Sequence, residues 1–173
     1  CGQDLQGLRN RALLLLAYDS MCRRSELVSL RAEEMEWLSD EGVSILLRKS
    51  KTDQHGSGKW IHLSTEATKA VMDWLVAANI QEGFILRGIR SNGTITSSFC
   101  DSRISRIYKR LARGAELSER VVQGISGHSM RVGAAQDLLI QGASLPQIMV
   151  KGGWAKTDTV MRYVERVRPG GIP

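Results

Sequence analysis

His128 and Arg131 stand three residues apart in the run Ser126-Gly127-His128-Ser129-Met130-Arg131. On a helix that spacing sets both side chains on one face. Such a pair suits a phosphate, because Arg presents a planar, permanently charged fork and a protonated His donates from either ring nitrogen. Further along come Gly152-Gly153-Trp154 and then Tyr163. A tyrosine held beside the pair can attack phosphorus, since the cations stabilise both its phenolate and the charged transition state. Free tyrosine ionises only near pH ~10, so the site must concentrate positive charge. Arg23, ahead of Ser25-Glu26-Leu27, and Lys51, within Lys49-Ser50-Lys51-Thr52, are candidates to add it. Each has rivals: Arg24 beside Arg23, and Lys49 or Lys59 for Lys51. The nearby acids Glu26, Asp137, Asp158 and Glu165 are scattered, with no carboxylate cluster of the kind that holds Mg²⁺. The expectation is transesterification without a metal or cofactor; a covalent intermediate conserves the phosphodiester energy, so religation needs no ATP.

The elements that would position these groups are mostly helical. Residues 7–20 read as a helix with a buried apolar flank, and a short second helix follows, with Leu27 and Leu30 facing the core. Strands are expected at 34–37, 43–48 and 59–63, joined by polar turns at 40–42 and 52–58 into a small antiparallel sheet. Ser64 and Thr65 cap another helix with Glu66 in its first turn. Residues 88–96 form a turn-rich loop, and 97–113 a basic helix carrying Arg103, Arg106, Lys109, Arg110 and Arg113. The last third is helical at 129–141, 145–151 and 157–166. The fold class is α+β, mostly helical, with a three-stranded antiparallel sheet at one edge.

At 173 residues the chain fits a single domain, and its 42% apolar content argues against disorder and against a membrane protein. The longest apolar run, 12–18, is too short to span a bilayer, and the opening residues do not read as a signal peptide, so none is expected. The net charge of +6 favours a polyanionic partner without naming it. Cys1, Cys22 and Cys100 are odd in number and widely spaced, which indicates neither a zinc site nor a disulfide framework and makes a reducing, cytosolic setting the default. Taken singly, each motif has a plainer reading. Arg23 and Arg24 would be solvated charges at a helix start, Lys51 a hairpin lysine, and Trp154 and Tyr163 packed aromatics. His55 and His62 have no partner motif and read as loop and strand-face residues.

Together, S-G-H-S-x-R-V-G-A-A from Ser126 and G-G-W followed by V-M-x-Y up to Tyr163 resemble the tyrosine recombinases, or phage-type integrases. The likeness covers about residues 7–165, tightest in the last third, clear around Arg23 and loosest over 64–123. It implies the catalytic fold of that family over 1–173, and the following roles. Tyr163 would attack a DNA phosphodiester, leaving a 3′-phosphotyrosine and a free 5′-hydroxyl. Arg23, chosen because the family's arginine lies three before the glutamate, would bind the non-bridging oxygens together with Arg131. His128 would bond the phosphate and assist removal of the tyrosine proton, and Lys51 would protonate the leaving oxygen. Trp154 stands where many relatives carry His; its indole N–H can donate but not accept. Glu26 would hold the cations in register. Ser98, Phe99, Ser102, Arg103 and Arg106 would contact DNA, on the family's groove-facing helix.

The implied partner is double-stranded DNA. The full-length protein would act as a homotetramer on two DNA sites, in a bacterial or phage-encoded, nucleoid-associated setting. Two departures from the resemblance stand out: only ten residues follow Tyr163 in this sequence, and the N-terminal domain that completes the DNA clamp in relatives is expected to lie outside it. The fragment is therefore expected to be monomeric and to bind DNA poorly. A type IB topoisomerase and an inert DNA-binding module are the alternatives; the sequence motif argues against the first, the intact residue set against the second.

Overall fold

The computed structural model describes residues 1–38, 42–48 and 58–164. Helix α1 spans Leu5–Ser20 and is started by Asp4, whose carboxylate accepts the Gly7 N–H at 2.8 Å. Its Ala12, Leu13, Leu16 and Ala17 recur at three- and four-residue intervals and are buried together. A short helix, α2 at Arg24–Leu27, and a 3₁₀ turn at Ala32–Glu34 lead into β1 at Met35–Leu38. With β2 at Gly42–Leu47 and β3 at Lys59–His62 it makes an antiparallel sheet of order β1-β2-β3, in which Ile45 lies opposite both Met35 and Ile61. The central strand buries Val43, Ile45 and Leu47 at alternate positions. Helix α3, Thr65–Ala77, is capped by Ser64 Oγ and packs along α1, where Trp74 is fully buried and donates its Nε1–H to the Ile85 carbonyl at 2.8 Å.

The basic helix begins later than its composition suggests. α4 runs over Ile104–Gly114 behind a 3₁₀ turn at Asp101–Arg103. Residues 97–100 stay non-helical because their backbone is already engaged: Gly88 N–H donates to the Ser98 carbonyl, and Thr96 Oγ1 to the same carbonyl at 2.7 Å. A short helix that the sequence pattern does not announce, α5 at Glu119–Gly124, follows and buries only Val122. β1 also starts one residue later than expected, its place taken by the 3₁₀ turn.

Helices α6 at Ser129–Ile140, α7 at Leu145–Gly152 and α8 at Thr157–Val164 pack on one another. They enclose a second apolar cluster of Met21, Ala134, Ala135, Ile148, Trp154 and Val160, separate from the main core formed by α1, the sheet, α3 and α4. Met21 belongs to the second cluster and Cys22 to the first. The residue after them is Arg23, so the chain crosses the seam between the two clusters just where the predicted site begins. Among the described residues no helix is long and apolar enough to cross a membrane.

Candidate active site

Beyond Ser20 the backbone leaves α1 through Met21, which adopts the left-handed region at φ 49°, an uncommon conformation for a residue with a side chain. The Met21 side chain is fully buried, and its carbonyl accepts Nη1–H of Arg131 at 2.6 Å. Arg23 sits at the start of α2, where Glu26 holds it twice. Glu26 Oε2 accepts the Arg23 backbone N–H at 2.8 Å, and Oε1 accepts Nη1–H at 2.7 Å. One buried carboxylate thus caps the helix and aims the guanidinium. Arg23 Nη2 then donates to the Gly153 carbonyl at 3.3 Å.

The Gly152-Gly153-Trp154 run has a steric explanation. Gly153 takes φ 66° to end α7. A Cβ on Gly152 would lie 2.0 Å from the Trp154 ring, so only glycine lets the indole fold back against the helix. There the ring carries the Arg131 guanidinium, whose Cζ is 4.1 Å from the ring centroid. Arg23 and Arg131, from opposite ends of the chain, therefore grip consecutive residues, Gly153 and Trp154. Tyr163 packs on the same indole with ring centroids 6.0 Å apart and planes tilted by 50°. Its carbonyl accepts from Gln136 Nε2 at 2.9 Å, which ties α8 to α6.

The local field is strongly positive. Arg131 is only 5% exposed, and burial, then the charge of Arg23, push it below its ordinary value against the opposing pull of Glu26. His128, just ahead of α6, is held below its usual range by partial desolvation and then by Arg24, Arg131 and Arg23. Lys59 is a residue that the sequence kept only as a rival to Lys51. Its ammonium donates to the Lys151 carbonyl, and desolvation lowers its pKa beside Cys22, Arg131, Glu26 and Arg23. The signal that could have found it is its place at the first position of a strand entering the core. Burial pushes the Cys22 thiol up to about 11.

Arg23, Glu26, His128, Arg131, Trp154 and Tyr163 are thus brought together. Lys51 and its rival Lys49 lie outside the described residues, as does His55. Ser98, Ser102, Arg103 and Arg106 are exposed along the start of α4 and the loop before it. Phe99 corrects the expectation: it is 6% exposed, and the Arg9 guanidinium covers its ring at 5.1 Å. It packs in the main core beneath Arg9 rather than standing out from the surface. Among the described residues no group of three or more His, Cys, Asp or Glu side chains gathers as a metal site.

The chain matches the phage integrase family over residues 1–168, and it belongs to that family. It is 29% identical to the recombinase cre of Escherichia phage P1, across 94% of this chain and 50% of that protein. To an integrase/recombinase xerD homolog of Selenomonas ruminantium it is 31% identical, across 95% of this chain and 49% of the relative. The chain therefore spans about half the length of these curated relatives. Its fold resembles that of the XerA recombinase, with a TM-score of 0.70 at 18% identity over 92% of this chain and 52% of the other. It also resembles the XerH site-specific recombinase bound to a palindromic difH substrate in a post-cleavage complex, with a TM-score of 0.71 at 16% identity over 91% and 42%.

Proposed function

We propose that this chain is the catalytic domain of a site-specific DNA recombinase that breaks and rejoins strands through a covalent 3′-phosphotyrosine. One observation carries the reading: Arg23 and Arg131 close on adjacent residues of the Gly153-Trp154 turn, and Tyr163 packs on the same indole. In the proposed reaction the Tyr163 oxygen forms a bond to phosphorus while the bond to the 5′ oxygen breaks. The two guanidiniums neutralise the non-bridging oxygens, and their fixed positions mean that little reorganises as charge builds. His128, its imidazolium disfavoured by partial desolvation and then by the surrounding cations, is biased toward the neutral form that can accept the phenol proton. Trp154 supports Arg131 from below and offers its N–H to the phosphate. Glu26 keeps Arg23 aimed.

Lys51 is the proposed donor of the proton to the leaving 5′ oxygen, and the position of Lys59 beside both arginines makes it the second candidate. The full-length protein would act on double-stranded DNA in the cytoplasm, as a tetramer on two sites, with Ser98, Ser102, Arg103 and Arg106 meeting DNA.

The test is incubation of the full-length protein with a suicide DNA substrate. A covalent adduct should form and should vanish in Tyr163→Phe; adduct that persists in this variant would remove Tyr163 from the chemistry. Strand exchange between two sites separates recombination from simple supercoil relaxation, and tight binding without adduct would favour an inert module. A substrate with a sulfur in place of the leaving 5′ oxygen should rescue only the variant that lacks the proton donor. Rescue of Lys59→Ala and not of Lys51→Ala would reassign that role.

A further inference from the structure

Arg24 follows Arg23 and opens α2, yet the two side chains diverge. Arg23 is drawn by Glu26 toward the Gly153 carbonyl. Arg24 turns to the other half of the site and lies over Gly127, in the turn ahead of α6. A Cβ built on Gly127 would stand 2.1 Å from Arg24 Cδ and 3.0 Å from both Cγ and Nε. Carbon atoms rest at about 3.5 Å or more, so the arginine stem occupies the space that a side chain at 127 would need. Arg24 is half-buried, and among the described residues no carboxylate stands within ion-pair range of it. A guanidinium stays protonated throughout the range in which histidine titrates, so this charge is permanent.

The turn under Arg24 carries His128. Ser126 N–H donates to Ser129 Oγ at 2.9 Å, and His128 N–H to Ser126 Oγ at 3.2 Å. These bonds hold the backbone of His128, whereas its imidazole makes no hydrogen bond to another described residue. What faces the ring is positive charge. After partial desolvation, the strongest influence on it is Arg24, ahead of Arg131 and Arg23.

We infer that Arg24 is a positioning residue for His128: its stem holds the turn at Gly127, and its guanidinium sets a fixed positive charge beside the imidazole, so that the ring meets the phenol as a proton acceptor. The inference rests on the recombinase reading for the phenol, and on the packing over Gly127 for the contact. A positive neighbour penalises the imidazolium and leaves a neutral ring, whose free nitrogen takes the proton from the Tyr163 oxygen as that oxygen bonds phosphorus. Two duties are thereby separated. Arg23 and Arg131 take the phosphate oxygens, while Arg24 acts on the base.

The test begins with proton NMR titration of the histidines in the chain itself, the His128 signal being the one that His128→Gln removes. The His128 midpoint should rise in Arg24→Gln and stay near wild type in Arg24→Lys, which keeps the charge. An unmoved midpoint in Arg24→Gln, or an equal rise in Arg24→Lys, would overturn the inference. Gly127→Ala should also raise the midpoint, because its methyl displaces the stem, and should add nothing once Arg24 is alanine. An equal rise in both backgrounds would show that the turn acts without Arg24. The second readout is the pH profile of adduct formation by the full-length protein on a suicide DNA substrate. Its acid limb should move to higher pH in Arg24→Gln and return in Arg24→Lys; adduct formation with an unmoved limb would deny Arg24 its part in the chemistry. The expected titration shifts with no adduct from full-length wild type would instead sink the recombinase reading and leave the contact standing.

Discussion

Replacing Gly152 with alanine adds one methyl group and tests how the two arginines are held. The new Cβ would lie 2.0 Å from the Trp154 ring, with two further ring atoms at 2.2 and 2.8 Å. Carbon atoms prefer about 3.5 Å or more, so the indole must retreat by roughly 1.5 Å. The ring cannot retreat alone, because Arg131 rests on one part of it and Tyr163 packs against it. Overpacking of this kind destabilises a core by about 1–3 kcal/mol, which a urea melt detects. The effect on chemistry should be larger than on folding, since displacement by about 1 Å from a reactive geometry slows a reaction on the order of 100-fold. The assay is single-turnover adduct formation by the full-length protein on a suicide DNA substrate. Gly152→Ala should fold and bind DNA yet form adduct about 100-fold more slowly. A rate within about twofold of wild type, with the fold intact, would refute the claim that the indole fixes Arg131.

Glu26→Ala removes the carboxylate that both caps α2 and aims Arg23; it should lose about 3 kcal/mol of stability in urea and abolish measurable adduct, and a loss under about 0.5 kcal/mol would deny the carboxylate its structural part. His128 is held below its ordinary value of 6.5, so as the pH falls below that value the unfolded chain takes up a proton before the folded one does. Stability should therefore drop on acidification through this window and should do so less in His128→Gln; identical acid profiles for the two proteins would show that the imidazole titrates normally. Cys22, buried and pushed up to about 11, should resist iodoacetamide at pH 8 while the exposed Cys1 and Cys100 react. Mass spectrometry that finds Cys22 modified as fast as Cys100 would contradict its burial.

The gathering of Arg23, Glu26, Arg131, Trp154 and Tyr163 was legible in sequence because these residues are chemically unusual together and because local spacing carries part of the geometry. His128 and Arg131 lie within one helical turn, and Arg23 and Glu26 are closed into a pair by a cap whose spacing is visible in the chain. Most of the helices were legible from the sequence pattern, down to the buried stripe of α1, but the short α5 was not. The start of α4 was not, because Ser98 lends its carbonyl to a loop bond from Gly88, which sequence spacing does not disclose. Phe99 was misread for a related reason: an aromatic beside arginines looks like a nucleic-acid surface until the fold turns it inward. Arg9 was overlooked although a signal existed. It falls four residues before Leu13 on the stripe that α1 buries, and a cation on a buried stripe asks for a partner. The left-handed turn at Met21 has no such signal, since methionine shows no preference for that conformation; tertiary packing imposes it.

The packing of Tyr163 on Trp154 has a consequence for how copies of the protein share labour. Tyr163 rests on the indole that supports its own chain's Arg131, and Gln136 of that chain anchors its backbone. On the proposed reading, each copy would bring a self-sufficient cutting unit to its strand. Mixing full-length protein that lacks the tyrosine with full-length protein that lacks Arg131 should restore no activity, because neither polypeptide can lend the other its missing half.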